Sequence, residues 1–248
     1  GIIASGVIAL VLGQTFDWTW FWWLGGSLAL ALAAFSIIAI PCPKETPAVT
    51  PTAEHIRWWH NSSFLFLTVA YFLEGLGYVV TATFLVTILK TGGLSDAAGN
   101  TALVVVGLAA LPSTWIWGRV SSRIGGHKAL AIAYTFMAIG IVLPVFDASV
   151  PTALISAALF GTTFLGIVAM TVAVGAEMMP HARTFAIGIL STAFGLGQLV
   201  GPILAGEATI LFGNFTAALL GAGTVTILGL ICMLISKYHF RPQAPQSV

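Results

Sequence analysis

The chain has 248 residues, of which 58% are hydrophobic and 7% are charged, with a formal net charge of +1. An ordinary soluble domain carries about 25% charged residues, so this composition excludes a water-coated globule and points to a bilayer as solvent, which accepts apolar side chains over most of the surface. The near-neutral balance provides no basic stripe for nucleic acid and no acidic tail for a basic partner.

The first apolar run, residues 2–13, lacks the basic leader of a signal peptide and is shorter than the roughly 20 residues needed to cross a hydrocarbon core. It reads as the end of a helix whose start is missing. Runs of spanning length follow at 18–40, 64–89, 101–117, 129–146, 152–178, 185–212 and 215–235. Glycine and proline inside them are expected to shape helices without ending the spans, because membrane helices re-satisfy freed backbone groups through neighbours. The polar stretch with Pro43, Pro47 and Pro51 reads as a linker. The expected organisation is a remnant of one bundle at 1–42, a linker at 43–62, a six-helix bundle at 63–237 and a tail at 238–248.

Charge placement predicts orientation. Lys44, Arg57, Arg119, Arg123, Lys128, Arg183, Lys237 and Arg241 fall on alternate loops, while the opposite side holds Lys90. Positive charge favours the cytoplasmic side, so the linker, the loop 118–128, the loop at Arg183 and the C-terminus are expected inside the cell. Tryptophans prefer the headgroup level, and all eight are expected there: Trp18, Trp20, Trp22 and Trp23 at the outer start of one span, Trp58, Trp59, Trp115 and Trp117 at inner ends. Cys42 and Cys232 have no spacing of a metal or redox pair and read as packing residues. Seven spans raise the possibility of a seven-helix receptor or retinal protein, but the last span has no lysine for a Schiff base, and the long linker fits poorly.

The inner loop reads Gly118-Arg119-Val120-Ser121-Ser122-Arg123-Ile124-Gly125-Gly126-His127-Lys128. It resembles the loop signature of the major facilitator superfamily at Gly118, Arg123, Gly125 and Lys128, with Ser122 at the usual acidic position. The stretch from Glu177 through Pro180 to Arg183 is similar to the family's turn between its tenth and eleventh helices. Gly197-Gln198-Leu199-Val200-Gly201-Pro202 is similar to its eleventh helix. Gly75-Leu76-Gly77-Tyr78, with residues 81–85, resembles a poorly characterised bacterial subgroup. The resemblance implies an all-α, polytopic membrane bundle of the major facilitator type, running from the end of helix five through helix twelve, with the first four helices missing. It also implies two bundles around a cavity that opens alternately to each side, with solute bound near mid-membrane, so the chain would need the missing N-terminal bundle.

Glu74 is the leading candidate for function. An ionisable group inside a span is costly unless paired or hydrated, and ten residues beyond Phe64 lie about 15 Å deep, close to the middle of a core about 30 Å thick. Thr68, Tyr71, Glu74, Tyr78 and Thr81 follow steps of three and four and share one helical face. That polar stripe is either a cavity wall, with Glu74 binding a cation or a proton, or a sealed contact in which Tyr or Thr hydrogen-bonds the carboxyl. Gln198, beside Gly195, Gly197 and Gly201, suits solute binding and close helix packing equally. Glu207, at an outer helix end, is expected to reach water.

The family resemblance implies an inside-facing latch. Glu177 paired with Arg123 would bias an outward-open state, and the alternative is that Arg119, Arg123, Lys128 and Arg183 only enforce topology. No His-Glu-x-x-His, Gly-x-Ser-x-Gly or phosphate-cradling loop occurs, so an enzyme is not expected, nor a metal or cofactor. The leading expectation is a multi-pass cell-membrane transporter of small solutes, coupled to protons. A non-transporting scaffold or sensor derived from a transporter half is the alternative.

Overall fold

The structure is a computed structural model that describes residues 18–39 and 58–239. The expected partial helix at 2–13, most of the linker and the end of the tail lie outside the described residues. Eight α-helices and a short 3-10 turn at Trp58–His60 make up the described chain, with no strand among the described residues. In lipid a backbone can satisfy its polar groups only within helices or closed barrels, and the long apolar runs choose helices. They are α1 (Trp18–Ala39), α2 (Ser62–Thr91), α3 (Asp96–Ala110), α4 (Ser113–Ile124), α5 (Gly126–Phe146), α6 (Val150–Met178), α7 (Arg183–Phe212) and α8 (Thr216–His239). Six are long and apolar enough to cross a membrane, and α3 with α4, bent by 44°, makes a seventh if taken as one span.

Local chemistry sets the boundaries. Asn61 caps α2 by accepting from the Phe64 N–H at 3.1 Å, and Ser95 and Ser149 do the same for α3 and α6, each meeting one orphan donor of a first turn. Gly213 ends α7 in the left-handed conformation at φ +70°, where a side chain would be strained. Between α5 and α6 the exposed Asp147 carboxylate accepts from the Ser149 and Thr152 hydroxyls, which hold its carboxyl below the usual range. Lys90 and Asp96 form an exposed ion pair of 2.9 Å across the turn from α2 to α3, an arrangement that contributes little in water.

Two expectations change. The run 101–117 is not one straight helix: it is divided at Leu111–Pro112 between α3 and α4, because proline removes a backbone donor and clashes with the preceding turn. The stretch 118–128 is not an open loop either. Residues 118–124 complete α4, residues 126–128 begin α5, and the turn is made by Gly125 at φ +88°, a backbone conformation that glycine tolerates without strain.

Helix α2 is the centre of the bundle, packed mainly on α7 and α8, while α6 joins α3, α4 and α5. Close approach is made possible by glycine. A Cβ on Gly197 would meet the Phe72 carbonyl and lie 2.8 Å from the Leu76 nitrogen; one on Gly201 would lie 2.6 Å from the Leu76 carbonyl; one on Gly75 would lie 2.5 Å from the Phe194 carbonyl. Such small-residue contacts substitute for the hydrophobic driving force that lipid cannot supply between helices. At one end of the bundle, Ser63 and Ser236 tie α2 to α8 reciprocally, each hydroxyl donating to the other's carbonyl at 2.5 and 2.7 Å. Helix α1, by contrast, is covered by no other described element, and Trp22, Trp23, Ile37 and Ile38 are 74–85% exposed.

Trp117 corrects the reading of the tryptophans. Its side chain is 5% exposed, and its indole N–H donates to the Thr162 carbonyl at 2.6 Å, in the middle stretch of α6. Ser113 donates to the same carbonyl at 2.7 Å and accepts from the Gly166 N–H at 3.0 Å. These bonds tie the start of α4 to the middle of α6, so Trp117 is a buried fastener rather than a headgroup anchor. Trp115, 63% exposed, keeps the surface role.

The glycine packing yields a paired prediction on one helix. Gly197→Ala forces α2 and α7 apart and should destabilise by about 1–3 kcal/mol, as overpacking does, read as a lower Tm in detergent. Gly195→Ala, two residues away with nothing within 4 Å of its would-be Cβ, should leave Tm unchanged or raise it through better helix propensity. Equal Tm values for the two variants would contradict the close crossing.

Candidate functional site

The polar stripe forms on α2 as its spacing predicts. Thr68, Tyr71, Glu74 and Thr81 are all buried and Tyr78 is half-buried. Glu74 is 0% exposed, and among the described residues it is the one Asp, Glu, Lys or Arg side chain that is fully buried. Neither carboxyl oxygen has a hydrogen-bond partner. The sealed alternative, with Tyr or Thr bonding the carboxyl, is therefore not the arrangement found. The Thr68 hydroxyl donates to the Phe64 carbonyl of its own helix at 2.8 Å, and the Tyr134 hydroxyl donates to the Ala70 carbonyl at 3.1 Å. The Thr81 hydroxyl is also buried without a partner. The phenols of Tyr71, Tyr78 and Tyr134 lie within electrostatic reach of the Glu74 carboxyl.

Gln198 joins this group across the α2–α7 crossing by donating from Nε2 to the Tyr78 hydroxyl. The neighbouring glycines divide between two roles: Gly197 and Gly201 serve packing, whereas Gly195 is open. Tyr71, Tyr78 and Gln198 thus meet at the α2–α7 contact, while Glu74 and Thr81 lie on the same stripe of α2 as the two tyrosines.

Sequence reasoning missed the aromatic residues that complete it. Phe194 of α7 lies between two tyrosine rings, with centroids 4.5 Å from Tyr71 at 18° and 5.4 Å from Tyr78 at 10°. The far side of Tyr78 faces Phe164 at 6.1 Å and Phe160 at 6.2 Å, both from α6. Phe160 and Phe164 stand four residues apart on one helical face, a signal visible in the sequence. Phe194 offered none, since phenylalanine is common in apolar runs and only the fold sets its ring between Tyr71 and Tyr78.

The second group lies at the end of the bundle where α4 stops and α5 starts. Gly118, Ser121, Ser122, Gly125, Gly126 and Glu177 line a cavity of about 470 Å³ together with residues of α6. Gly118 and Glu177 are thereby brought together, but Glu177 and Arg123 form no ion pair within 4 Å among the described residues. Arg119 lies over the Trp115 ring instead, 4.1 Å from its centroid, a cation–π contact. Arg119, Arg123, Lys128 and Arg183 are all exposed, as is Glu207. No group of three or more His, Cys, Asp or Glu side chains able to hold a metal occurs among the described residues.

Comparison with known proteins agrees with this architecture. The family model described as "Uncharacterised MFS-type transporter YbfB" matches residues 1–234. Monocarboxylate transporter 13 of Bos taurus is 22% identical over 98% of this chain and 60% of its own length. Vacuolar basic amino acid transporter 5 of Saccharomyces cerevisiae (strain ATCC 204508 / S288c) is 26% identical over 58% of this chain and 25% of its own length. The chain therefore spans no more than about three-fifths of either relative. Apolar helices of spanning length and a family match over nearly the whole chain lead to one conclusion: this is a multi-pass membrane chain that belongs to the MFS-type transporters, a family of transporters rather than of enzymes.

Proposed function

We propose that the chain forms the C-terminal bundle, with a remnant of the N-terminal one, of a secondary active transporter that works by alternating access and couples solute movement to protons at Glu74. The observation that carries this reading is a carboxyl group at 0% exposure, midway along the central helix, with both oxygens unpartnered. An ionised carboxylate without a partner in apolar surroundings is expensive, so its charge must be neutralised whenever α2 sits as it does here. A proton accomplishes that without needing room. Exposure of the same group to water in another arrangement of the bundles would release it, and the difference between the two arrangements is what a coupled transporter requires.

Domain limits and sidedness belong to the same proposal. Residues 63–237 form the C-terminal six-helix bundle, residues 43–62 a cytoplasmic linker, and residues 238–248 a cytoplasmic tail in the cell membrane. The concentration of exposed basic side chains near the α4–α5 turn, the start of α7 and the end of α8 supports that orientation. The missing N-terminal bundle supplies the opposite cavity wall. Tyr78 and Gln198 are the solute contacts of this half: they satisfy each other when no solute is bound and turn to it when one arrives.

The test uses the complete protein in proteoliposomes, with L-lactate and L-arginine as first probes because the two relatives bear the names of monocarboxylate and basic amino acid transporters. Uptake of a probe should rise severalfold with an imposed pH gradient. Glu74→Gln, which keeps size and removes titration, should reduce gradient-driven uptake to the gradient-free rate while solute exchange continues. Full gradient-driven uptake by Glu74→Gln would reject the proton role, and no flux of any probe in a wider screen would favour a non-transporting scaffold.

The Tyr78–Gln198 pair generates a second expectation. Tyr78→Phe and Gln198→Leu should each raise the KM of a transported probe about two- to tenfold, the range of one net hydrogen bond. The double variant should cost less than the product of the two, since both remove the same bond. Strictly multiplicative effects would show that the two side chains act independently of each other.

A further inference from the structure

We infer that Phe194 is the positioning residue that closes the Glu74 site: its ring shuts the carboxyl away from water, and its displacement is the step that admits a proton. This inference rests on the reading of Glu74 as the coupling site and adds the element that controls access to it.

The geometry follows from the helix repeat. Tyr71 and Tyr78 stand three residues before and four residues after Glu74, so their side chains lie one turn to either side of it on one face of α2. The gap between their rings is at the level of Glu74. Phe194 fills that gap, stacked at 4.5 Å on Tyr71 and 5.4 Å on Tyr78. A Cβ on Gly75 would lie 3.0 Å from Phe194 Cδ2, so the residue beside Glu74 is a glycine where the ring needs room. Glu74, on the same face of α2 between the two tyrosines, has no exposure.

The seat of Phe194 is also one that can be left. The contact of α7 with α2 runs over Gly75, Gly197 and Gly201, where the two backbones approach closely, and the Phe194 ring and the Gln198 amide reach the α2 tyrosines across it. Stacked aromatic rings contribute about 0.5–1.5 kcal/mol per pair beyond their buried area, so two stacks hold Phe194 closed by an amount that solute binding or bundle rocking can overcome.

Carbodiimide labelling reads how far the ring blocks access to the carboxyl, because dicyclohexylcarbodiimide dissolves in bilayers and forms a stable N-acylurea on protonated carboxyl groups it can reach. The complete protein in vesicles is treated at fixed pH, and modification of Glu74 is followed by mass spectrometry, with Glu74→Gln as the identity control. Phe194→Ala should label at least tenfold faster than the wild type, Phe194→Leu should be faster as well, and Phe194→Tyr, which keeps the stack, should match the wild type. Should Phe194→Ala fail to fold, the comparison of Leu with Tyr, both folded by Tm, decides. Equal rates for wild type and Phe194→Leu would overturn the inference. So would a Tyr variant as fast as the Leu variant. Failure here leaves the coupling role of Glu74 standing, since that role is judged by gradient-driven uptake of Glu74→Gln and not by labelling rate.

Discussion

The contact on which the rest of the molecule depends is the backbone-level crossing of α2 and α7 at Gly75, Gly197 and Gly201. Lipid gives two apolar helices no reason to prefer each other over acyl chains, so association must come from dense packing and a few polar contacts. Glycine at three points removes the side chains that would hold the axes apart. That single economy brings Phe194 between Tyr71 and Tyr78 and brings Gln198 to the Tyr78 hydroxyl, the two tyrosines that flank Glu74 on its face of α2.

Among the described residues, most buried side-chain hydroxyls of the bundle are paired. Threonine hydroxyls at Thr163 and Thr226 return to carbonyls one turn back at 2.7 and 2.8 Å, which removes them from the membrane's list of unpaired donors. Ser113 and Trp117 both use the Thr162 carbonyl. Glu74 and Thr81 on α2 and Thr171 on α6 are the exceptions among span residues with a buried unpaired side-chain atom. Where a fold takes such care to pair its hydroxyls, an unpaired carboxyl is better understood as a tolerated cost with a use than as an accident.

Much of this was legible in the sequence, and the limits have physical reasons. Apolar runs gave the helices because the bilayer constrains length and composition so strongly, and the three-and-four spacing of Tyr71, Glu74 and Tyr78 gave the stripe because a helix has one repeat. The break at Leu111–Pro112 was hidden because prolines in membrane helices often only bend them. The helical character of 118–128 was hidden because charged and small residues read alike as loop or as an exposed helix end, and one glycine suffices to turn the chain. Trp117 misled because a tryptophan near a span's end carries no mark of whether its N–H meets water or a carbonyl. Phe194 could not have been picked out, since its role is defined by Tyr71 and Tyr78, far away in the chain, and not by its neighbours.

The charge map explains why the α4–α5 end of the bundle lacks the expected latch among the described residues yet keeps its basic side chains. Arg123 and Glu177 are both exposed, and an exposed pair contributes about 0–1 kcal/mol, too little to hold two bundles in one arrangement by itself. Topology asks less: a positive charge need only remain on one side during insertion, without any partner. Arg119 on Trp115 satisfies both a surface cation and an interfacial ring without engaging the opposite sign. Control of conformation is therefore better lodged where small free energies are not diluted by water. In the described chain that place is the interior seam of α2 and α7, where ring stacking and one amide–phenol bond act on the two tyrosines that flank the buried carboxyl.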